Sequence, residues 1–385
     1  MEGKAVLRLL LLLLLLVLLL GCSGKSNNTT QAKPPELPAI LQFEESRRSM
    51  RRRSKSRIRS LIGGTYMYTK STTQRYGPGS NYGYVCGGWS GGSRLSTIDR
   101  FQFPFDSGTA NQVGNLSGSR GWLSSNNSST HGYVCGGWDG NYLTTIDRFQ
   151  FPFNSGTASH VGNLSGSRDN SSANNSSIHG YVCGGYSFDN NSWYSTIDRF
   201  QFPFDSSTVS QVGNLSGSKR ELSANNSSTY GYVCGGYADL SCFSTIDRFQ
   251  FPFSDGTANH VGNLSGSRFY LSANNSSTHG YICGGSSGNG LSIIDRFQFP
   301  FDSGTANQVS NLSVYRSNSG ANNSSTHGYV CGGFKGGYQI LDVYSTIDRF
   351  QFPFDSGTVS QVGNLSGSRR SLSATDGVDF VTMFV

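Results

Sequence analysis

GYVCGG spans Gly83–Gly88. The same six letters return at Gly132, Gly180, Gly231 and Gly328, with GYICGG at Gly280. The intervals between copies are 49, 48, 51, 49 and 48 residues. An alternating apolar run that ends in two glycines reads as a short strand, followed by a point where side chains are removed so that backbones can approach. Each copy sits in a longer repeated text. In the second unit GYVCGGW is followed by a variable run, then TTIDRFQFPF, NSGTASH, VGNLSGSR, a second variable run, and SANNSSIHG leading into the next copy.

In IDRFQFPF the rings Phe149, Phe151 and Phe153 fall on one side, while Ile146, Arg148 and Gln150 fall on the other. That is the period-two pattern of a strand with a buried aromatic face. The NSGT, DSGT and SDGT segments supply turn residues after it, VGNL makes a short return strand, and SANNSS supplies a fourth. Four strands in a period near 50 residues predict one supersecondary unit that stacks on its neighbours. The expected fold is all-β: a β-propeller of six blades, each of four antiparallel strands. The first unit lacks an SANNSS segment, since QRYGPGSN stands upstream of it, and the chain ends in a spare SLSATDGVDFVTMFV from Ser371. The economical closure uses this tail as the missing strand of blade one. The alternative joins it to LIGGTYMYTK at 61–70 as a composite seventh blade.

These units resemble the kelch repeat over roughly residues 83–370. The resemblance rests on an apolar strand ending in a glycine pair (Gly87-Gly88 and its five equivalents), a second strand of the Tyr-Asp type, and an Arg shortly after the fourth strand. The chain departs from that pattern where the usual Trp of the fourth strand is replaced by Val113, Val161, Val212, Val261, Val309 and Val362. The wording IDRFQFPFDSGTA is also similar to kelch-like repeats in proteins of marine bacteria and their phages, which implies no activity.

The formal charge is +7, but RRSMRRRSKSRIR at Arg47–Arg59 alone carries +8 from seven Arg and one Lys. The remainder is therefore 7 − 8 = −1, and the repeated body offers no basic surface for nucleic acid. At the N-terminus a short charged start with Lys4 and Arg8 precedes twelve apolar residues, Leu9–Leu20, then Gly21-Cys22. Twelve residues suit an export signal and fall short of the roughly 20 that a bilayer span needs. The LLGC run resembles a lipobox, which implies cleavage after residue 21, lipidation of Cys22 and, with Ser23 behind it, an outer-membrane or cell-surface address. The expected organisation is a signal peptide at 1–21, a lipid-anchored basic linker at 22–60 and the propeller at 61–385.

The repeated cysteines, Cys86, Cys135, Cys183, Cys234, Cys283 and Cys331, occupy the same point of six blades. Blade spacing near 10 Å keeps them outside disulfide reach. They are expected to be buried and reduced, with Cys242 the odd one in a variable loop. His131, His179, His279 and His327 read as turn residues beside a strand, and Asp-Arg pairs such as Asp99-Arg100 as strand or inter-blade hydrogen-bonding partners. No nucleophile triad, phosphate loop or metal-ligand spacing stands out, so no cofactor and no catalytic residue are expected.

The copies disagree in two places. One follows the glycine pair (WSGGSRL, WDGNYL, YSFDNNSWY, YADLSCF, SSGNGL, FKGGYQILDVY); the other follows NLSGS (RGWLSS, RDNSSA, KRELSA, RFYLSA) or NLS in the fifth unit (VYRSNSGA). In an up-and-down blade both emerge at the same end of the ring. They hold Trp89, Trp122, Trp138, Tyr142, Tyr186, Trp193, Tyr194, Tyr237, Phe269, Tyr270 and Tyr338 among Gly, Ser and Asn, the composition of recognition surfaces. The expected function is a monomeric, non-enzymatic binding propeller for a protein or glycan. The rivals are an enzyme with its site in the channel, which requires a chemical cluster that breaks the sixfold pattern, and a virion or adhesion component.

Overall fold

The computed structural model describes residues 81–189, 191–336 and 342–377. Cys22, the basic run, LIGGTYMYTK and Tyr338 lie outside them. The described residues form six four-stranded antiparallel sheets arranged as a β-propeller. Blade two shows the pattern from the axis outward: Ser124–Asn127, His131–Cys135, Thr145–Gln150 and Ser159–Asn163. Blade one differs only in its innermost strand, which is Ser373–Asp376 from the far end of the chain. It pairs with Tyr82–Cys86 from Gly83↔Asp376 to Cys86↔Ser373. The tail thus closes a ring of six blades, and the composite seventh blade loses the strand it required.

The second strand is buried on both faces because every blade is covered on both sides. Tyr84 and Cys86 pack with Phe149, Phe151 and Val134 of blade two, while Val85 packs with Tyr329 and Cys331 of blade six. The third strand corrects the sequence reading in part. It stops at Gln150, and the Phe151-Pro152 peptide is cis. The three rings still gather on one face, with Phe149 centroids 5.6 Å from Phe151 and 5.0 Å from Phe153, and 5.4 Å from Tyr84 of the preceding blade. Ile146 lies on the opposite side from these rings, as the alternation implied, and is fully buried against the following blade.

Polar clasps repeat at each junction. Asp147 sits beside a bulge in the third strand and is fully buried. It accepts from Ser117 N at 2.8 Å and Ser117 Oγ at 2.7 Å, and pairs with Arg120 at 3.2 Å, all from the preceding blade or the link after it. Asp198, Asp295, Asp348 and Asp99 meet Arg168, Arg268, Arg316 and Arg369 in the same way, and Asp247 meets Lys219. The Arg that follows each Asp reaches the other way: Arg148 Nη1 donates to Phe204 O of the next blade at 3.2 Å. The Asp-Arg pairs are therefore inter-blade partners, each residue serving a different neighbour. On the outside, the NSGT turn holds the preceding blade's outer strand, with Asn115 N donating to Gly156 O at 2.9 Å and Ala158 N to Asn115 O at 2.8 Å.

Candidate binding face

The glycine pair explains why both variable runs arrive at one end of the ring. Gly87 and Gly88 have φ of 60° and 107°, and a Cβ on Gly87 would lie 2.7 Å from Arg120 O. The close approach at Gly87 and the φ of Gly88 each exclude a side chain. Past the pair, the first loop residue bridges to the link entering its own blade: Trp89↔Arg370, Gly121↔Trp138, Asp169↔Tyr186, Arg220↔Tyr237, Phe269↔Ser286 and Ser317↔Phe334. The two variable runs therefore touch in every blade. In three blades the first run continues as a short hairpin, such as Tyr186–Ser187 with Ser192–Trp193.

The aromatics form an arc across blades one to five. Trp89, Trp122 and Trp138 cluster with centroids 5.6–6.1 Å apart. Trp138 bridges by backbone to Tyr142, whose ring meets Tyr186 at 5.9 Å. The line continues through Trp193 at 5.1 Å, Tyr237 at 6.0 Å, Phe269 at 5.3 Å and Tyr270 at 5.1 Å. Arginines are layered into it. Arg94 lies 4.1 Å from the Trp138 centroid and 5.4 Å from Trp89; Arg220 lies 4.7 Å from Trp193 and 4.8 Å from Tyr186. Such stacking holds the rings rigid and half-buried. Tyr194 departs from the arc, for its ring stacks at 4.5 Å on the buried guanidinium of Arg168. Phe188 and Leu240, at adjacent hairpin tips, are 69 % and 91 % exposed.

At the centre of this face lies a feature that the sequence reading missed. Trp122, Asn170, Glu221, Tyr270, Asn318 and Ser371 occupy one equivalent position, each just before an innermost strand, and all have φ of 52–61°. Each donates its backbone N–H to the carbonyl of the one before it: Asn170 to Trp122, Glu221 to Asn170, Tyr270 to Glu221, Asn318 to Tyr270, Ser371 to Asn318 and Trp122 to Ser371, at 2.8–3.0 Å. The hydrogen bonds close a circle around the axis. The six side chains line the mouth of the channel together with Leu123, Leu222, Leu271 and Leu372. The signal was present in the links RGW, RDN, KRE, RFY, RSN and RRS: a constant cation, then a position two residues later that changes through the ring.

Two perturbed acids stand here, Glu221 in the mouth itself and Asp169 next to Asn170 in the chain. Asp169 is 6 % exposed, and burial pushes its carboxyl up to about 7. Burial raises Glu221 as well, opposed by Arg220, whose Nε lies 3.0 Å from Oε1, and by a hydrogen bond from Tyr270. Burial and the neighbouring Glu221 hold the Tyr270 phenol well above its ordinary value. A desolvated carboxyl favours its neutral form, and a cation or donor beside it restores the charge.

Elsewhere the ring is uniform. The opposite part of the channel is walled by Ala and Asn of the innermost strands, with Asp376 in one Asn place. All seven described cysteines are free thiols. The six repeated ones are fully buried, and desolvation drives their pKa far up. His131, His179, His279 and His327 are not turn residues but the first residues of second strands, each paired across to the third strand, with pKa values lowered by burial and a nearby Arg. Among the described residues no group of three or more His, Cys, Asp or Glu gathers to hold a metal.

No family model matches this chain, and no curated protein is similar to it. The architecture and the repeat therefore stand on the sequence and the geometry described above.

Proposed function

We propose that this protein is a non-enzymatic binding propeller that recognises a protein or glycan partner through the face where its blades differ. The reading includes a lipid anchor at Cys22 that holds the ring at a cell surface. One observation carries the binding reading: in every blade the two variable runs are paired backbone to backbone, so the differences among six near-identical units collect at one end of the ring. That end carries an aromatic arc stiffened by arginines, and rigid aromatics give large contact area at little entropic cost. Scaffold and recognition separate cleanly, as in other folds whose loops are displayed by a fixed frame.

The test is a binding screen of the full chain against immobilised surface proteins and glycans, repeated with Trp89→Ala, Trp138→Ala and Trp193→Ala. Loss of about tenfold or more in affinity, roughly 1.4 kcal/mol, supports this face as the recognition surface; unchanged binding in all three overturns it. Labelling with radioactive palmitate tests Cys22 separately.

An enzymatic reading has one observation in its favour, the raised carboxyls of Glu221 in the mouth and of Asp169 beside Asn170. Glu221 is committed to Arg220 and Tyr270, which leaves Asp169 as a single titrating acid there and suits binding better than paired acid–base work.

A further inference from the structure

We infer that the mouth of the axial channel is a binding subsite for the terminal residue of a neutral glycan, a reading that rests on the binding face proposed above. The backbone argument comes first. Six residues in the left-handed region, none of them Gly and none a repeat of the preceding neighbour, hold a conformation that costs about 1 kcal/mol or more for a side-chain-bearing residue and almost nothing for Gly. Trp122, Glu221 and Tyr270 are the least suited to it, yet they are the residues present. The strain is retained for what the side chains do.

Position around the circle sets the chemistry. Counting along the hydrogen-bonded ring, Trp122 stands opposite Tyr270, Asn170 opposite Asn318, and Glu221 opposite Ser371. Two aromatics across the axis offer faces for the C–H groups of a pyranose. Two amides, each able to donate and accept, match vicinal hydroxyls. The Glu221 carboxyl accepts, and its charge is answered by Arg220. Ser371 supplies the independent sign of a missing partner: it is 4 % exposed, lines the mouth, and its Oγ makes no hydrogen bond. Buried polar atoms left unpaired in a free protein mark a place where something else completes them.

Size and charge narrow the class. The cup encloses about 70 Å³, room for a few waters or for the edge of one sugar ring entering end-on, and far below a pocket for a drug-sized ligand. The cations next to it are all engaged, Arg220 with Glu221, Arg370 over the Phe334 ring and the buried cations two residues back with strand aspartates, and Glu221 adds an acid, so the mouth disfavours sulfated or sialylated ends. The arc from Trp138 to Tyr237 then lies beside the entrance, where the following sugars of a chain would stack.

The experiment uses the full chain on an array of immobilised neutral oligosaccharides ending in glucose, galactose, mannose or N-acetylglucosamine, with sialylated and sulfated glycans and a surface-protein panel as further arms. The expected result is retention on a subset of neutral ends, competed by the matching free monosaccharide. Ser371→Ala removes only a hydroxyl without a partner, so it leaves the melting temperature in place and lowers affinity about tenfold; Glu221→Gln lowers it further. Trp193→Ala, outside the mouth, weakens oligosaccharides more than the monosaccharide. Binding to acidic glycans alone, or neutral-glycan binding indifferent to both mouth variants, overturns the subsite. Retention of a surface protein that depends on Trp193 but not on Ser371 or Glu221, with no neutral glycan retained, sinks the subsite and leaves the binding face standing.

Discussion

Replacing Asp376 by Asn tests how the ring is closed. Five innermost strands carry Asn-Asn (Asn126-Asn127, Asn174-Asn175, Asn225-Asn226, Asn274-Asn275, Asn322-Asn323), and the sixth carries Thr375-Asp376. At a standard junction Asn126 Nδ2 donates to Asn175 Oδ1 at 3.0 Å, and Asn175 Nδ2 donates back to Asn127 Oδ1 at 3.1 Å. At the closing junction Asp376 accepts from Asn322 Nδ2 at 2.7 Å and Asn323 N at 2.9 Å but, when ionised, donates nothing in return. It is 5 % exposed, and burial pushes its carboxyl from the ordinary 3.8 up to about 7, against the hydrogen bonds that favour the charge. The interval between those two values corresponds to about 4 kcal/mol. The sign follows from proton counting. Between pH 4 and pH 7 the unfolded chain has lost a proton that the folded ring keeps, so stability falls as pH rises through that window and levels off above it. Asp376→Asn does not titrate, and once the Asn323 amide, whose Nδ2 donates to Asp376 at 3.3 Å, turns over, the new amide can donate to Asn323 Oδ1 as at the other junctions. At pH 8 the variant is expected to melt about 6 °C above the parent, taking a melting entropy of about 0.6 kcal/mol/K for a ring of this size. At pH 4 the two should nearly coincide. Thermal melts of both chains from pH 4 to pH 8 give the answer; a variant that melts lower at pH 8, or a difference that does not change with pH, refutes the reasoning.

Three further outcomes follow from the junctions. Asp348→Ala leaves Arg316, which has no exposed side-chain surface, buried without its carboxylate, and should lower stability by about 3–5 kcal/mol in denaturant titration; a loss below about 1 kcal/mol contradicts the buried pair. Iodoacetamide at pH 8 should modify Cys242, which is partly exposed, while Cys86 and its five repeats stay unlabelled until the ring unfolds; labelling of Cys135 in the native protein, read by mass spectrometry, contradicts its burial. Gly87→Ala, with a positive φ and a carbonyl 2.7 Å from the new Cβ, should destabilise by more than the usual 1 kcal/mol of a left-handed alanine, and a neutral effect contradicts the close approach of the two variable runs.

The fold was legible because repetition turns one chain into its own comparison. Six copies of GYVCGG and IDRFQFPF at a constant period leave few architectures, and the orphan SLSATD tail against a first unit short of one strand pointed to closure in blade one. Details of packing were hidden. The alternation in IDRFQFPF placed Ile146 correctly opposite the Phe rings, but the cis Phe151-Pro152 peptide ends the strand that the three Phe residues implied. The aromatic loops were visible by composition. The mouth was not, because its residues are unlike one another and include polar types that pass for linker. The constant cation two residues earlier marks the position, but the closed circle of hydrogen bonds is what brings Glu221, Asn170, Asn318 and Ser371 together with Trp122 and Tyr270.

Intrinsic tryptophan emission tests the central claim most directly, since Trp89, Trp122, Trp138 and Trp193 are all the tryptophans of the chain and all stand in the variable runs. A ligand retained in the screen should change that emission saturably, with a midpoint equal to the one found by calorimetry. Calorimetric saturation with unaltered emission, together with loss of binding on charge substitution in the Asn154–Thr157 turn, would place recognition on the uniform part of the ring and contradict the account.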